Sequence, residues 1–249
     1  MLVTNYAKIA SKYDLTRSRR AIGVDPVLVA AVESGTRNQY RALDLGCGTG
    51  NYLKAQIERG PDSVRWDGLD ASPDMIQVAR GKLGLQAELA IGSVHDLPYA
   101  DGVFDFIMVR AVFHHFVDKS RALSEICRVL RPGGRLHLRN GAYEYRKQYW
   151  VYRYFPETWA IDERRFWPVH RLYEELGERG MRVDGSVHAR RYPVDKAEVL
   201  LWAHNRDLSQ LALLSEDAFR AGLQRLVVEN RSEIPTESAT VDLSAEVAS

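Results

Sequence analysis

Three glycines set two residues apart, Gly46, Gly48 and Gly50, follow an apolar stretch interrupted by an acid, Ala42-Leu43-Asp44-Leu45. Glycines at this density let the backbone turn tightly and approach a ligand with no side chain between. The residues after Gly50 read as a helix, whose first N–H groups and positive dipole end suit a carboxylate or phosphate. Together they predict a nucleotide-type cofactor site at the carboxyl edge of a sheet. A second such stretch ends on Asp70, twenty residues after Gly50, where a carboxylate accepts hydrogen bonds from both hydroxyls of a ribose. Arg110, His114 and His115 follow a third stretch, 104–109. Histidine titrates near neutrality, so His114 or His115 is a candidate base for an acceptor that must lose a proton.

The spacing narrows the cofactor. A dinucleotide fingerprint, G-x-G-x-x-G, would need glycine at 51, where the chain has Asn51, and no G-x-x-x-x-G-K-[ST] phosphate loop occurs. The first argues against a nicotinamide enzyme, the second against a P-loop nucleotide site.

These residues need elements to position them. Residues 64–70 read as a strand, and Ser72-Pro73 caps and opens a helix running to 83. Strands are expected at 85–91 and 104–109. A helix over 119–130 sets Leu123, Ile126, Cys127 and Leu130 on one face, and a fifth strand follows the Pro132-Gly133-Gly134 turn. Asp25-Pro26 caps a helix over 27–33. Strands alternating with helices predict a parallel, doubly wound sheet.

The strings D-L-G-C-G-T-G (44–50) and E-I-C-R-V-L-R-P-G-G-R-L (125–136), with Asp70 and the loop Gly92-Ser93-Val94-His95-Asp96-Leu97-Pro98 between them, resemble the class I S-adenosylmethionine (SAM)-dependent methyltransferases. The small-molecule members are most similar, among them the quinone-pathway C-methyltransferases and natural-product tailoring enzymes. The resemblance spans about residues 40–138. It implies a Rossmann-like α/β fold with a mostly parallel sheet of seven strands, SAM as cofactor and S-adenosylhomocysteine as product. Asp44, Gly46, Cys47, Gly48 and Gly50 would form the cofactor turn. Asp70 and Ala71 would lie at the ribose, Met75 against adenine, and Val94, His95 and Asp96 in the adenine-side loop, with Asp96 accepting from the adenine amino group. Arg110 joins these cofactor contacts. Tyr6-Ala7-Lys8-Ile9-Ala10-Ser11-Lys12-Tyr13-Asp14 resembles an entry segment of such enzymes, so Tyr13 is expected to cap the cofactor or acceptor pocket, and Arg17 to reach the methionyl carboxylate.

Beyond the fifth strand the pattern breaks. Residues 143–167 hold ten aromatic side chains, against 10% aromatic residues in the whole chain. Long unusual loops tend to be functional. The segment 140–168 is expected to form a lid or wall, with Tyr149, Trp150 and Trp159 touching the acceptor beside Tyr13 and His114; plain packing is the competing reading. The expected organisation is a cap segment 1–38, a catalytic domain 39–230 and a flexible tail 231–249.

Bulk properties set the remaining bounds. The 249 residues carry 34 basic and 33 acidic side chains, a net charge of +1, which offers no electrostatic footprint for nucleic acid. No apolar run is long enough to span a bilayer, and Cys47 and Cys127 make no disulfide framework. A cytoplasmic enzyme with no metal and a small, apolar or aromatic acceptor, methylated at oxygen, nitrogen or carbon, is expected. The alternatives are a SAM-binding protein of the same fold with non-methylating chemistry or no catalysis, and, less favoured, a protein or nucleic-acid methyltransferase.

Overall fold

A computed structural model describes residues 22–248. Each apolar stretch singled out above becomes a strand: β1 (Tyr40–Leu45), β2 (Val64–Asp70), β3 (Glu88–Ile91), β4 (Phe104–Arg110) and β5 (Leu130–Gly141). Two further strands, β6 (Met181–Asp195) and β7 (Glu233–Val247), complete a seven-stranded sheet of order β3-β2-β1-β4-β5-β7-β6. The first five pair in parallel. β1 and β4 are nearly continuous in burial, as expected for strands covered on both faces.

The helices that cross between these strands start where their sequences say. Asp25 caps Pro26–Ser34 by accepting from the Val27 and Leu28 N–H groups. Ser72 caps Pro73–Leu83, and Asp118 caps Lys119–Val129, whose Ala122, Leu123, Ile126 and Val129 are buried. Asn51–Arg59 starts directly from Gly50, which takes the left-handed conformation (φ 76°). Leu28, Leu53, Trp66, Ile76, Phe106 and Met108 form the core on which these helices pack.

The strand order reverses between β1 and β4. On either side of that point the crossovers wind in opposite senses, so the loops leaving the two carboxyl ends part and leave a crevice. The glycine turn leaves the end of β1, and Arg110 ends β4. The next residue, Ala111, has a positive φ of 53° and donates its N–H to the Arg139 carbonyl. That conformation is costly for a residue with a Cβ and turns the chain sharply out of the strand.

The chain divides into two compact units. Of the described residues, one takes 22–140, Leu172–Gly185 and 242–248; the other takes Gly141–Arg171 and Ser186–Val241. In the second unit Trp150, Phe155, Val199, Leu211, Phe219 and Ile234 form a core of their own. The Phe155 and Phe219 rings stack there at 5.8 Å.

Two expectations need correction. The tail expected to be flexible is ordered: Glu233–Val247 is β7. Its sequence alternates, with Ala239, Val241, Leu243 and Ala245 buried between less buried neighbours. Small side chains disguise a period of two that a sheet interior accepts. The aromatic segment is not an irregular loop either; it folds into the helices Trp150–Tyr154 and Glu157–Arg165.

Candidate cofactor site

The glycine turn is the frame. Gly46, Gly48 and Gly50 have φ of 76°, 54° and 76°, a region open to glycine but strained for other residues. A Cβ on Gly46 would lie 2.6 Å from Val112, whereas a Cβ on Gly48 would meet nothing within 4 Å. The first glycine is therefore required by packing, and the second borders open space where a ligand can lie against the backbone. Cys47 is buried beside them, and burial pushes its thiol pKa up, so it stays a neutral thiol.

Asp70 braces the turn. Its Oδ2 accepts from the Gly48 N–H at 2.8 Å and its Oδ1 from the Ser72 N–H at 2.9 Å. Each oxygen keeps a further lone pair, so the acid that shapes the turn still has acceptor capacity for two hydroxyls. Burial raises its pKa, and the backbone N–H groups of Ser72, Gly48 and Ala71 work against that rise.

Asp44 is the more unusual acid. It is only 3% exposed, and its Oδ2 finds no hydrogen-bond partner among the described residues. Burial pushes its pKa up to about 7; Arg110 pulls it down, while Asp70 and Asp25 add to the rise. Arg110 carries the matching feature, a buried Nε with no hydrogen-bond partner among the described residues. Its guanidinium lies over the Tyr52 ring, 4.6 Å from the centroid. An unpartnered buried acceptor and an unpartnered buried donor thus occur on the two strands that flank the crevice. An amino acid's ammonium and carboxylate match that pair.

The adenine-side loop is held from behind. Glu125 Oε2 accepts from the Leu97 N–H at 2.7 Å, and Arg128 reaches Glu125, Asp101 and the carbonyls of Leu97 and Tyr99. Hydrogen bonds from Arg128 bring the Glu125 pKa down to about 2. The E-x-x-R string is therefore a staple for residues 97–101. His95 belongs to the same bracing: Nε2 accepts from the Asp118 N–H, and its carbonyl accepts from Arg121. Val94 and Met75 are buried, and Asp96 and Ala71 are exposed.

His114 Nδ1 lies 2.9 Å from Asn140 Oδ1. An amide oxygen only accepts, so Nδ1 donates to it, and in a neutral ring Nε2 is then the basic nitrogen. The His115 ring is 4.0 Å from that of His114.

The other expected site residues fall elsewhere. Tyr13 and Arg17 lie outside the described residues. Tyr149, Trp150 and Trp159 are in the second unit. Trp150, 2% exposed, is part of that unit's core, so its expected contact with an acceptor gives way to packing. A large indole recovers more by burial than at a half-open surface. Tyr149 and Trp159 are half-buried and pack on Tyr152, whose hydroxyl donates to the buried Asp162. Among the described residues no group of three or more His, Cys, Asp or Glu is arranged to hold a metal, and no helix is long and apolar enough to cross a membrane.

Sequence reasoning missed Tyr52 beneath Arg110 and Asn140 beside His114. An asparagine at the end of a strand that follows a His-His pair was the available signal.

Known proteins match this geometry. A methyltransferase domain family matches residues 43–138. A demethylmenaquinone methyltransferase of Deinococcus radiodurans is 38% identical over 53% of this chain and 57% of its own length. The enzyme of the same name from Thermotoga maritima is 32% identical over 62% of this chain and 69% of its own. Among solved structures, the cyclase SpnF superposes with a TM-score of 0.63 at 17% identity, covering 98% of this chain and 94% of that one; at that identity the likeness concerns the fold. The aligned region spans little more than half the length of the first of these relatives. With the Thermotoga relative matched over more than two thirds of its length, the chain belongs to the class I SAM-dependent methyltransferase family.

Proposed function

We propose that the chain binds SAM in the β1/β4 crevice and transfers its methyl group to an oxygen, nitrogen or carbon atom of a small, apolar or aromatic acceptor. The observation that carries this reading is a pair of buried polar atoms without a partner among the described residues, Asp44 Oδ2 and Arg110 Nε, beside the open backbone at Gly48. A nucleotide offers no cation for the carboxylate of Asp44; an amino acid joined to adenosine offers an ammonium for it and a carboxylate for Arg110. The demethylmenaquinone methyltransferases among its relatives support a quinone-type ring as the acceptor class.

When bound, SAM supplies a methyl group already activated on a sulfonium, for in-line displacement. The chain's own residues do the rest. Asp44 accepts from the ammonium, Arg110 donates to the carboxylate, and Asp70 accepts from the ribose hydroxyls. Met75 and Val94 present apolar surface to adenine, and Asp96 accepts from its amino group. Fixing the donor in this way converts a bimolecular encounter into a positioned one, an effect that can be worth several kcal/mol. His114, held by Asn140, takes a proton through Nε2 from an acceptor that must lose one.

The test is transfer of labelled methyl from SAM to a panel of phenols, quinols and amines. Incorporation into one chemical class supports the reading. No incorporation into any, by protein that binds SAM, would move the chain to non-methylating chemistry. His114→Gln should slow transfer to a hydroxyl or carbon acceptor by about 100-fold or more at unchanged SAM affinity.

A further inference from the structure

Nothing in the proposed reaction uses His137, a buried polar side chain in the middle of β5. Its Nδ1 lies 2.5 Å from Asp25 Oδ2, and its Nε2 lies 2.5 Å from Asp242 Oδ1. Ionised carboxylates only accept, so both ring nitrogens donate and the ring is an imidazolium. Burial works to lower the histidine's pKa; hydrogen bonds and charge from Asp25 and Asp242 outweigh it and hold it above the usual range.

The chain of charges continues on both sides. Asp25 Oδ2 also faces Arg110 Nη1 at 3.6 Å, while Asp25 Oδ1 is committed to the Val27 and Leu28 N–H groups. Asp242 Oδ2 faces Arg139 Nε at 3.5 Å. In order, Arg139, Asp242, His137, Asp25, Arg110 and Asp44 alternate in sign from a half-exposed arginine to the cofactor crevice. A buried charge needs a partner of opposite sign, and here each member supplies one for the next.

We propose that Asp25, His137 and Asp242 form a positioning unit for Arg110, setting how strongly the site grips the amino-acid end of its adenosyl ligand. The inference rests on the cofactor reading given above. With His137 charged, Asp25 already has a full cation, and Arg110 stands at 3.6 Å, beyond direct hydrogen-bond distance, with its Nε uncommitted. Once the imidazolium is lost, Arg110 is the cation among the described residues that still faces Asp25. The guanidinium is then drawn across the Tyr52 ring into a direct pair with Asp25 and away from the ligand.

The experiment is calorimetric titration of the whole chain with two probes. S-adenosylhomocysteine carries the ammonium and carboxylate; 5′-methylthioadenosine lacks both. In His137→Gln, S-adenosylhomocysteine affinity should fall about tenfold or more, the scale of a lost charged hydrogen bond, while methylthioadenosine affinity stays within about twofold. In the wild type, S-adenosylhomocysteine affinity should also fall as the pH rises far enough to deprotonate His137; His137→Gln should lack that part of the alkaline limb and keep only the part set by the ligand's own ammonium. If His137→Gln does not fold, Asp242→Asn carries the test: it weakens the hold on the proton, so the alkaline limb should move to lower pH. Unchanged S-adenosylhomocysteine affinity, a parallel loss for both probes, or an alkaline limb that Asp242→Asn leaves in place would each overturn the proposal. Wild-type protein that binds neither probe would instead overturn the cofactor reading beneath it.

Discussion

A carboxylic acid buried at the end of a central strand destabilises the fold unless it is neutral or paired; among the described residues Asp44 Oδ2 has no hydrogen-bond partner, and Arg110 is the cation that favours its charged form. Its folded pKa, raised from 3.8 to about 7, fixes the sign of two effects. Between these values the folded chain binds the extra proton, so the contribution of Asp44 to stability declines as pH rises through that window. A cationic ligand needs the ionised form, so SAM affinity should fall as pH drops below about 7, by about tenfold per pH unit at most. Asp44→Asn should therefore raise the melting temperature of the free protein above neutral pH and abolish the fall of affinity below about pH 7 while weakening binding. Thermal melts and calorimetry at two pH values check both. Asp70→Ala should weaken SAM by about 1–3 kcal/mol, because two ribose hydroxyls lose a charged acceptor and the Gly48 N–H loses its brace. Affinity equal to wild type would contradict the assignment. These acids and the glycines between them were legible because their meaning lies in spacing along the chain. The partners of Arg110 were not. Asp25 and His137 are 112 residues apart, and only tertiary structure brings them together.

At the scale of elements, the glycine turn and the helices around it follow from local rules of caps, turns and apolar periodicity. The aromatic segment does not. Ten rings in a short stretch are compatible with a substrate wall and with a core, and composition does not distinguish them. In the structure Trp150, Phe155 and Phe219 are packed in the second unit, and a Cβ on Gly222 would meet the Phe155 ring at 2.1 Å. Trp150→Ala should therefore cost about 3–5 kcal/mol of stability, measured by denaturant unfolding. If it left stability unchanged and raised the KM for the acceptor instead, the packing assignment would be wrong. The staple at the adenine-side loop makes a second prediction. Arg128→Ala breaks a charged pair and frees two carbonyls, so it should destabilise the chain by about 1–3 kcal/mol and weaken SAM without touching it. β7 escaped sequence reading because its alanines, serines and acidic residues carry little β signal, although Val241, Leu243 and Ala245 keep the alternation.

For the molecule as a whole, alternation of strands and helices was enough to predict a parallel sheet, because a parallel pair needs a crossover and a crossover needs a helix. It did not predict where the last two strands go. β7, last in sequence, sits between β5 and β6, and no local pattern encodes that insertion. The reversal of strand order between β1 and β4 has the larger consequence. It brings the glycine turn, Asp44 and Arg110 to one crevice from segments that are far apart in the chain. The central claim is that this crevice holds an adenosyl amino acid. Calorimetric titration with S-adenosylhomocysteine, with NADH as the control, tests it most directly. The account predicts saturable one-to-one binding of S-adenosylhomocysteine with a Kd of order micromolar, about −8 kcal/mol, and none of NADH. Absence of S-adenosylhomocysteine binding, or binding of NADH in its place, would contradict it.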